Sequence, residues 1–194
     1  MKKLFSLLVA TSLFVVMACT GGGSNGSGGT DSYATEDDGD LETGAGWPSP
    51  RFFDNGNQTV TDKLTGLMWT KDGNLIKTRD PGFDNDGTAG DGAVTWKHAL
   101  DYVKKLNQEN YFGYSDWRLP NRKELRSLIN YSQVNTAAWL NTLGFSNAKG
   151  SWYWSSSISA GNTYGPWFVW MYDGFVYFDF KSNNNYAWPV RGGQ

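Results

Sequence analysis

The C-terminal part of the chain alternates between two rows of apolar or aromatic residues, a period of two that predicts β-strands. The dipeptide Asp173-Gly174 predicts a turn that sets the strands on its two sides next to each other. We expect one row to face the core: Trp167, Val169, Met171, Val176 and Phe178. We expect the other row to form an aromatic ligand-binding face: Phe168, Trp170, Tyr172, Asp173, Phe175, Tyr177 and Asp179. The alternative is that a neighbouring segment covers this second face.

Shorter patterns upstream predict a hairpin, a further strand and a helix. A turn signal at Asp54-Asn55-Gly56 lies between two strand-like runs, and a turn at residues 62–66 precedes the apolar run Leu67-Met68-Trp69. From Thr95 to Asn107 the apolar residues recur at helical spacing, so we predict an amphipathic helix capped by Thr95. Residues 71–92 and 131–150 show no such pattern, and we expect loops there.

A corner between an extended segment and a helix is predicted within residues 116–125, DWRLPNRKEL. Pro120 restricts the residue before it to extended conformations, and Asn121 can cap a helix in which Glu124 completes a capping box. The planar guanidinium of Arg118 could hold Asp116 or backbone carbonyls with two hydrogen bonds. The corner has no nucleophile beside an activating base. We therefore expect its main residues to be structural and assign no catalytic residue: Trp117, Arg118, Pro120 and Glu124.

The N-terminal segment has the pattern of an export signal. Two lysines and an apolar run ending at Met17 predict a secretory signal over residues 1–19, since the run is too short to span a membrane. Cys19 follows a small residue and resembles the cysteine of the bacterial lipobox, which implies acylation; simple cleavage is the alternative. Residues 20–50 are rich in Gly and Ser and then acidic, so we expect a disordered tether before a domain at residues 51–194. The residue after Cys19 is Thr20 rather than aspartate, which favours a surface-exposed lipoprotein of the outer membrane.

The charge of the domain and its content of aromatic residues indicate which kinds of partner it can bind. Residues 20–50 carry six acidic and no basic residues, whereas residues 51–194 carry 15 basic and 13 acidic residues. A nearly neutral domain argues against nucleic-acid binding. Aromatic residues make up 16% of the chain, and ten are tryptophan, more than a core of this size needs, so we expect some to face a ligand.

The sequence contains few of the residues that metal, redox and cofactor sites require. Cys19 is the only cysteine, so the exported domain has no disulfide, and His98 is the only histidine, with no metal-binding partner near it in sequence. Asp84-Asn85-Asp86-Gly87 has the spacing that begins a calcium loop, but no glutamate closes it at the expected distance. We therefore favour a solvated acidic loop and assign neither a metal site nor a cofactor.

Several motifs together resemble one family of bacterial domains. They are Thr65-Gly66-Leu67-Met68-Trp69, Asp116-Trp117-Arg118-Leu119-Pro120, Tyr153-Trp154-Ser155-Ser156 and Pro189-Val190-Arg191. In this order they resemble the family named after the C-terminal domain of the Lcl collagen-like adhesin. The resemblance implies a C-type-lectin-like α+β fold, in which two helices flank a twisted antiparallel sheet and the terminal strands lie close together. The type member adheres to sulfated polysaccharide, but this domain lacks the basic excess that sulfate binding would require.

The C-terminal part also resembles the variable region of proteins that retroelements diversify. Such elements mutate adenines in asparagine-type codons on the ligand face of a lectin-like scaffold. Trp170 and Met171 cannot arise from such codons, so the resemblance implies that these two positions are fixed. The residues that such codons can give are Phe168, Tyr172, Asp173, Phe175, Tyr177, Asp179 and Ser182.

Taken together, the patterns favour a surface lipoprotein whose lectin-like domain binds a glycan or a protein through the aromatic face. A structural envelope protein that packs through this face is the alternative. An enzyme similar to the formylglycine-generating enzymes, which have related lectin-like folds, is disfavoured because those use cysteines or a metal site. The sequence predicts no nucleic-acid partner, membrane contact only through the lipid, and no particular oligomeric state.

Overall fold

The computed structural model of the 194-residue chain describes residues 46–178 and 180–192, apart from the side chains of residues 162–164. The signal segment, the acylation of Cys19 and most of the tether therefore lie outside the described residues, as does Asp179. Within them the chain forms two β-sheets and four α-helices. The α+β class is confirmed, but the sheet is divided in two and there are more helices than the expected pair.

The first sheet joins the two ends of the domain. Its antiparallel strands follow the order β1-β2-β3-β9, with β1 at Phe52–Asp54, β2 at Thr59–Asp62, β3 at Leu67–Thr70 and β9 at Val190–Arg191. The hairpin predicted at residues 54–56 and the strand predicted at residues 67–69 are confirmed. The turn between β2 and β3 forms because Asp62 accepts hydrogen bonds from the backbone N–H of Leu64 and the hydroxyl of Thr65.

The second sheet carries the predicted C-terminal hairpin at one edge. Its strand order is β4-β8-β5-β6-β7, with β4 at Ala93–Val94, β5 at Trp152–Ser159, β6 at Asn162–Trp170, β7 at Val176–Phe178 and β8 at Asn185–Tyr186. All neighbours are antiparallel except β5 and β8, which meet in parallel at Tyr153 and Tyr186.

The longest helix is the one that the sequence predicts. Helix α2 spans Trp96–Gln108, and the side chain of Thr95 caps it by accepting a hydrogen bond from the backbone N–H of His98. It buries its apolar side at Ala99 and Leu106. Amphipathic periodicity over several turns is a strong signal because it records which side of the helix meets the core.

Three shorter helices lie in the rest of the chain: α1 at Leu75–Arg79, α3 at Arg122–Ser127 and α4 at Thr136–Asn141. Helix α3 follows the predicted corner, whereas α1 and α4 lie where we expected loops, so those two predictions were wrong. Each of α1 and α4 is too short to show a helical period and is stabilised by packing instead. Leu75 and Ile76 of α1 and Ala137 and Leu140 of α4 are buried.

Both faces of the second sheet are covered where it is widest. One core cluster packs the first sheet, α3 and α4 against one face through residues such as Trp69, Trp188 and Tyr153. The other packs α2 and the corner against the opposite face around Trp154. The buried indole N–H groups of Trp154 and Trp188 donate to the carbonyls of Val94 and Thr70, at 2.7 and 2.9 Å, whereas that of Trp69 has no hydrogen-bond partner in the described protein. A sheet covered on both faces explains the many tryptophans without assigning each of them to a ligand.

Candidate binding site

The turn between β6 and β7 forms as the Asp173-Gly174 signal predicts. Gly174 adopts a φ of +83°, which favours glycine, and its N–H donates to the carbonyl of Trp170 at 2.8 Å. Asp173 accepts a hydrogen bond from the N–H of Phe175 at 2.9 Å, so one of its carboxylate oxygens holds the turn. The strands pair with Phe168 opposite Tyr177 and Val169 opposite Val176.

Four exposed aromatic rings surround this turn, and we call them the hairpin patch: Tyr131, Tyr172, Phe175 and Tyr177. Their exposed fractions are 58%, 38%, 57% and 52%, respectively. Phe175 and Tyr177 are neighbours with nearly parallel rings, 6.3 Å between centroids and 16° between planes. The hydroxyl of Tyr131 lies 3.2 Å from the position of a Cβ on Gly174, so this ring reaches the turn from another part of the chain.

Half-buried tryptophans support the patch from below. The ring of Trp152 contacts those of Trp170 and Phe175, at centroid distances of 4.2 and 6.1 Å. Trp152 is also 4.4 Å from Phe168, so a continuous series of edge contacts runs from the exposed rings into the core. Rings held in this way lose little conformational entropy when a ligand binds.

The predicted outward face is therefore covered at one end and open at the other. Phe168 is only 5% exposed and packs in the core cluster around Trp154, so the expectation that it faces a ligand was wrong. Trp170 is partly buried, whereas Tyr172, Asp173, Phe175 and Tyr177 are exposed. The alternative, in which a neighbouring segment covers the predicted binding face, is therefore correct at Phe168, because α2 and the corner pack on this side of the sheet.

The predicted inward row also divides along its length. Val169 and Met171 are fully buried, as expected. Trp167 is only partly buried, and Arg122 lies over its ring at 4.5 Å while Phe178 meets the ring at 5.6 Å. Trp167 lies beyond the part of the sheet that the first core cluster covers. Alternation therefore predicted more burial for this side chain than the structure shows.

Sequence reasoning missed two contributors to the patch. Tyr131, in a segment predicted as loop, accepts a hydrogen bond from the guanidinium of Arg126 at 3.0 Å. Trp152, which supports Phe175, was not among the residues assigned to the binding face. No local pattern reports that Tyr131 reaches Gly174 or that Trp152 reaches Phe175, because the residues of each pair are far apart in sequence.

The predicted corner is formed, and Arg118 binds backbone carbonyls as expected, but its acidic partner is Glu124 rather than Asp116. The Arg118 guanidinium donates to both carboxylate oxygens of Glu124, at 2.7 and 2.8 Å, and to the carbonyl of Gly192 at 2.7 Å. Asp116 instead pairs with Arg191, whose hydrogen bonds lower the pKa of the Asp116 carboxyl although slight burial opposes this. Arg118 thereby ties the corner to the end of the chain.

The capping box predicted at the corner is complete. The side chain of Asn121 accepts from the N–H of Glu124 at 2.9 Å, and Glu124 accepts from the N–H of Asn121 at 2.7 Å. Trp117 is 2% exposed, and the buried Pro120 accepts a hydrogen bond from the N–H of Ser156 at 2.8 Å. These contacts agree with a structural role for the corner.

An open cavity of about 280 Å³ lies beside α3, and Asn121, Glu124 and Ser127 line part of it, while no residue of the hairpin patch does. The polar groups of these residues are engaged locally, since the Ser127 hydroxyl donates to the carbonyl of Glu124 and the other two form the capping box. Within the described residues, no group of three or more His, Cys, Asp or Glu side chains is placed to hold a metal ion. Nor is any helix of this part of the chain long and apolar enough to cross a membrane.

Comparison with known proteins places the chain in a family. No curated protein matches it. The family model described as the Lcl C-terminal domain matches residues 58–191, which include both sheets except β1, all four helices and the hairpin patch. The chain belongs to the Lcl C-terminal domain family, a family of bacterial surface-associated, adhesin-like domains.

Proposed function

We propose that this protein is a surface lipoprotein whose C-type-lectin-like domain binds a glycan or a protein through the hairpin patch. The observation that carries the proposal is the group of four exposed rings around one turn. Tyr and Phe provide a large contact area at low entropic cost. The family supports a role at the bacterial surface.

The rigidity of the patch supports recognition of a ligand. Phe175 rests on Trp152, and the Asp173 carboxylate fixes the backbone between the two strands. A binding surface held in one conformation needs little reorganisation when the complex forms. Tyr131 adds a hydroxyl and the nearby Arg126 a cation, so the patch offers polar contacts as well as apolar rings.

The attachment to the membrane follows from Cys19 and is a separate part of the proposal. Acylation at this position, followed by a tether rich in Gly and Ser, would let the domain stand away from the outer membrane. Replacing Cys19 with Ser should abolish incorporation of labelled fatty acid and release the protein from the membrane fraction. Unchanged labelling and partitioning would refute the anchor and leave the binding proposal untouched.

The role that we propose is binding, not catalysis. The side chains of the corner are used in structural contacts, and the one cysteine of the chain is the proposed acylation site. If the resemblance to retroelement-diversified proteins holds, the exposed positions that such codons can give should vary between strains: Tyr172, Asp173, Phe175, Tyr177 and Ser182. Phe168 is buried, so we expect it to stay constant.

The test is a glycan array and a panel of surface proteins, both probed with the full chain and with two matched variants. Phe175→Ala removes a patch ring that is 57% exposed, whereas Phe53→Ala removes a ring of β1 that is 52% exposed and lies outside the patch. Loss of a central aromatic residue should weaken binding about 30-fold, which corresponds to about 2 kcal/mol. Phe53→Ala should bind as the unmodified chain does.

Equal losses in both variants would contradict binding at the patch. Self-association of the chain that Phe175→Ala disrupts, without binding to any glycan or other protein, would instead favour the alternative of a structural envelope protein.

A further inference from the structure

The segment between α1 and β4 contains a buried carboxylate without a cationic partner among the described residues. Asp84 is only 3% exposed, which contradicts the expectation of a solvated acidic loop at this position, although residues 85 and 87–89 are exposed. Its Oδ2 accepts a hydrogen bond from the N–H of Gly92 at 2.7 Å, but its buried Oδ1 has no hydrogen-bond partner in the described protein. None of the ion pairs of the described side chains includes Asp84. Burial of a carboxylate is unfavourable unless it is paired or binds a metal.

A second buried oxygen without a partner lies at the same place. Asn74 is 2% exposed, and its Nδ2 donates to the carbonyl of Asp91 at 3.0 Å, which fixes the orientation of the amide. The Oδ1 of Asn74 has no hydrogen-bond partner in the described protein. It lies 1.9 Å from the position of a Cβ on Gly92, the residue whose N–H binds Asp84. The side chains of Asn74 and Asp84 thus converge on Gly92.

Gly92 is required for this convergence. Its φ is +89°, a conformation that L side chains rarely adopt, and any Cβ would occupy the position of the Asn74 amide. The missing side chain of Gly92 therefore leaves room for the Asn74 amide, so a buried acceptor oxygen without a partner lies against the Gly92 backbone. Such oxygens usually have a partner in a folded protein, and each exception requires an explanation.

A further carboxylate faces the same region. Asp91 accepts from the N–H of Ala93 at 2.7 Å, and Ala93 pairs with Tyr186 across β4 and β8. Burial, and then the negative charges of Asp91 and Asp84, raise the pKa of the Tyr186 hydroxyl. The backbone of Asp91 is tied to Asn74 through its carbonyl, and neither Asp91 nor Asp84 forms an ion pair with a described side chain.

We propose that the side-chain oxygens of Asn74 and Asp84 bind a calcium ion beside Gly92, with Asp91 adding negative charge. Calcium accepts carboxylate, amide and backbone carbonyl oxygens together, so a site for it does not need three acidic side chains. The oxygen donors argue against zinc and copper, which prefer imidazole or thiolate ligands.

The ion would join α1 to the edge of the second sheet. Asn74 precedes α1, Gly92 precedes β4, and Asp84 lies between them. The hairpin patch is at the opposite edge, since the strand order runs from β4 to β7. Calcium would therefore stabilise the fold without contacting the ligand, and the proposal does not depend on the proposed function.

Another arrangement would also satisfy the buried oxygens, since ordered water could donate a hydrogen bond to each of them. Water alone would leave the stability of the protein independent of calcium, so a calcium titration separates this arrangement from the proposal.

The experiment uses the full chain, freed of metals with EDTA and then titrated with calcium chloride. Isothermal titration calorimetry should detect binding, and calcium at about 100 times Kd should raise the melting temperature by about 5 °C or more. Asp84→Asn should abolish both responses. The matched control is Asp101→Asn, which removes an exposed carboxylate of α2 that pairs with Lys97 and should leave both responses unchanged.

Asn74→Ser is a second variant in case Asp84→Asn does not fold, and it should weaken calcium binding at least about tenfold by removing one ligand. Absence of heat and of any thermal shift up to about 10 mM calcium would overturn the proposal, because even weak extracellular sites bind below that concentration. An unchanged response in a folded Asp84→Asn protein would place the ion elsewhere and overturn it as well.

Discussion

Replacement of Glu124 measures how much the corner contributes to stability. Its carboxylate accepts two hydrogen bonds from Arg118 and one from the N–H of Asn121, all between 2.7 and 2.8 Å. The Glu124 side chain is 13% exposed and that of Arg118 is 26% exposed, so both are largely shielded from water. The ion pair is therefore expected to contribute more than a surface pair does.

The two functions of Glu124 can be separated by two substitutions. Glu124→Ala removes the half of the capping box that accepts from the N–H of Asn121, at about 1 kcal/mol, and leaves the Arg118 guanidinium without its main acceptor, at about 1 to 3 kcal/mol. The expected loss is therefore about 2 to 4 kcal/mol in the free energy of unfolding. Glu124→Gln keeps an oxygen for the cap but removes the charge, so it should cost about 1 to 2 kcal/mol.

Urea unfolding of the full chain, followed by tryptophan fluorescence, gives both values. The dependence on urea should keep its slope, since the substitutions change little buried area. The control is Lys123→Ala, which changes an exposed neighbour and should stay within about 0.5 kcal/mol of the unmodified chain. A loss below about 0.5 kcal/mol for Glu124→Ala would refute the reasoning. Equal losses for Gln and Ala would show that cap and ion pair are not separable.

Three other changes test the described contacts. Phe168→Ala should lower the free energy of unfolding by about 3 to 5 kcal/mol, because Phe168 is buried. Tyr177→Ala, which truncates the exposed neighbour of Phe168 on the adjacent strand, should lower it by less than about 1 kcal/mol. Equal losses would contradict the burial of Phe168. Gly174→Ala should lower the melting temperature, because its φ is +83° and a Cβ would lie 2.8 Å from Cγ2 of Ile129; an unchanged melting curve would refute this account of the turn. Burial opposes the charge of Asp80, but hydrogen bonds from Lys105 and Tyr102 hold its pKa below 3.8. The Asp80 carboxylate therefore stabilises the fold above pH 3.8 and loses that contribution as the pH falls through its lowered pKa. The urea midpoint should fall between about pH 6 and pH 3, and this fall should be smaller in Asp80→Asn than in the unmodified chain.

The sequence by itself determined the features that depend on neighbouring residues. The cap of α2 at Thr95, the capping box of Asn121 and Glu124, and the turn at Gly174 were all predicted and formed. Each is fixed by side chains that reach the backbone only a few positions away, or by a φ that favours glycine. Alternation likewise indicated correctly that Val169 and Met171 face the core.

The tertiary structure alone decided what each aromatic row meets. Alternation assigns residues to two faces of a strand, but it does not report how far the covering elements extend. Phe168 is therefore buried under the second cluster, while Trp167 remains partly exposed. Similarly, the sequence indicated four exposed positions of the binding face, and only the fold added Tyr131 beside them.

Electrostatic partners were decided in the same way. Arg118 had acidic residues on both sides in sequence, and the fold gave it Glu124 while Arg191 took Asp116. The acidic segment before β4 suggested solvation, yet packing enclosed Asp84 beside Asn74. Composition indicates how many charges a segment carries, whereas burial and pairing depend on segments distant in sequence that meet only when both sheets and their covering helices are assembled.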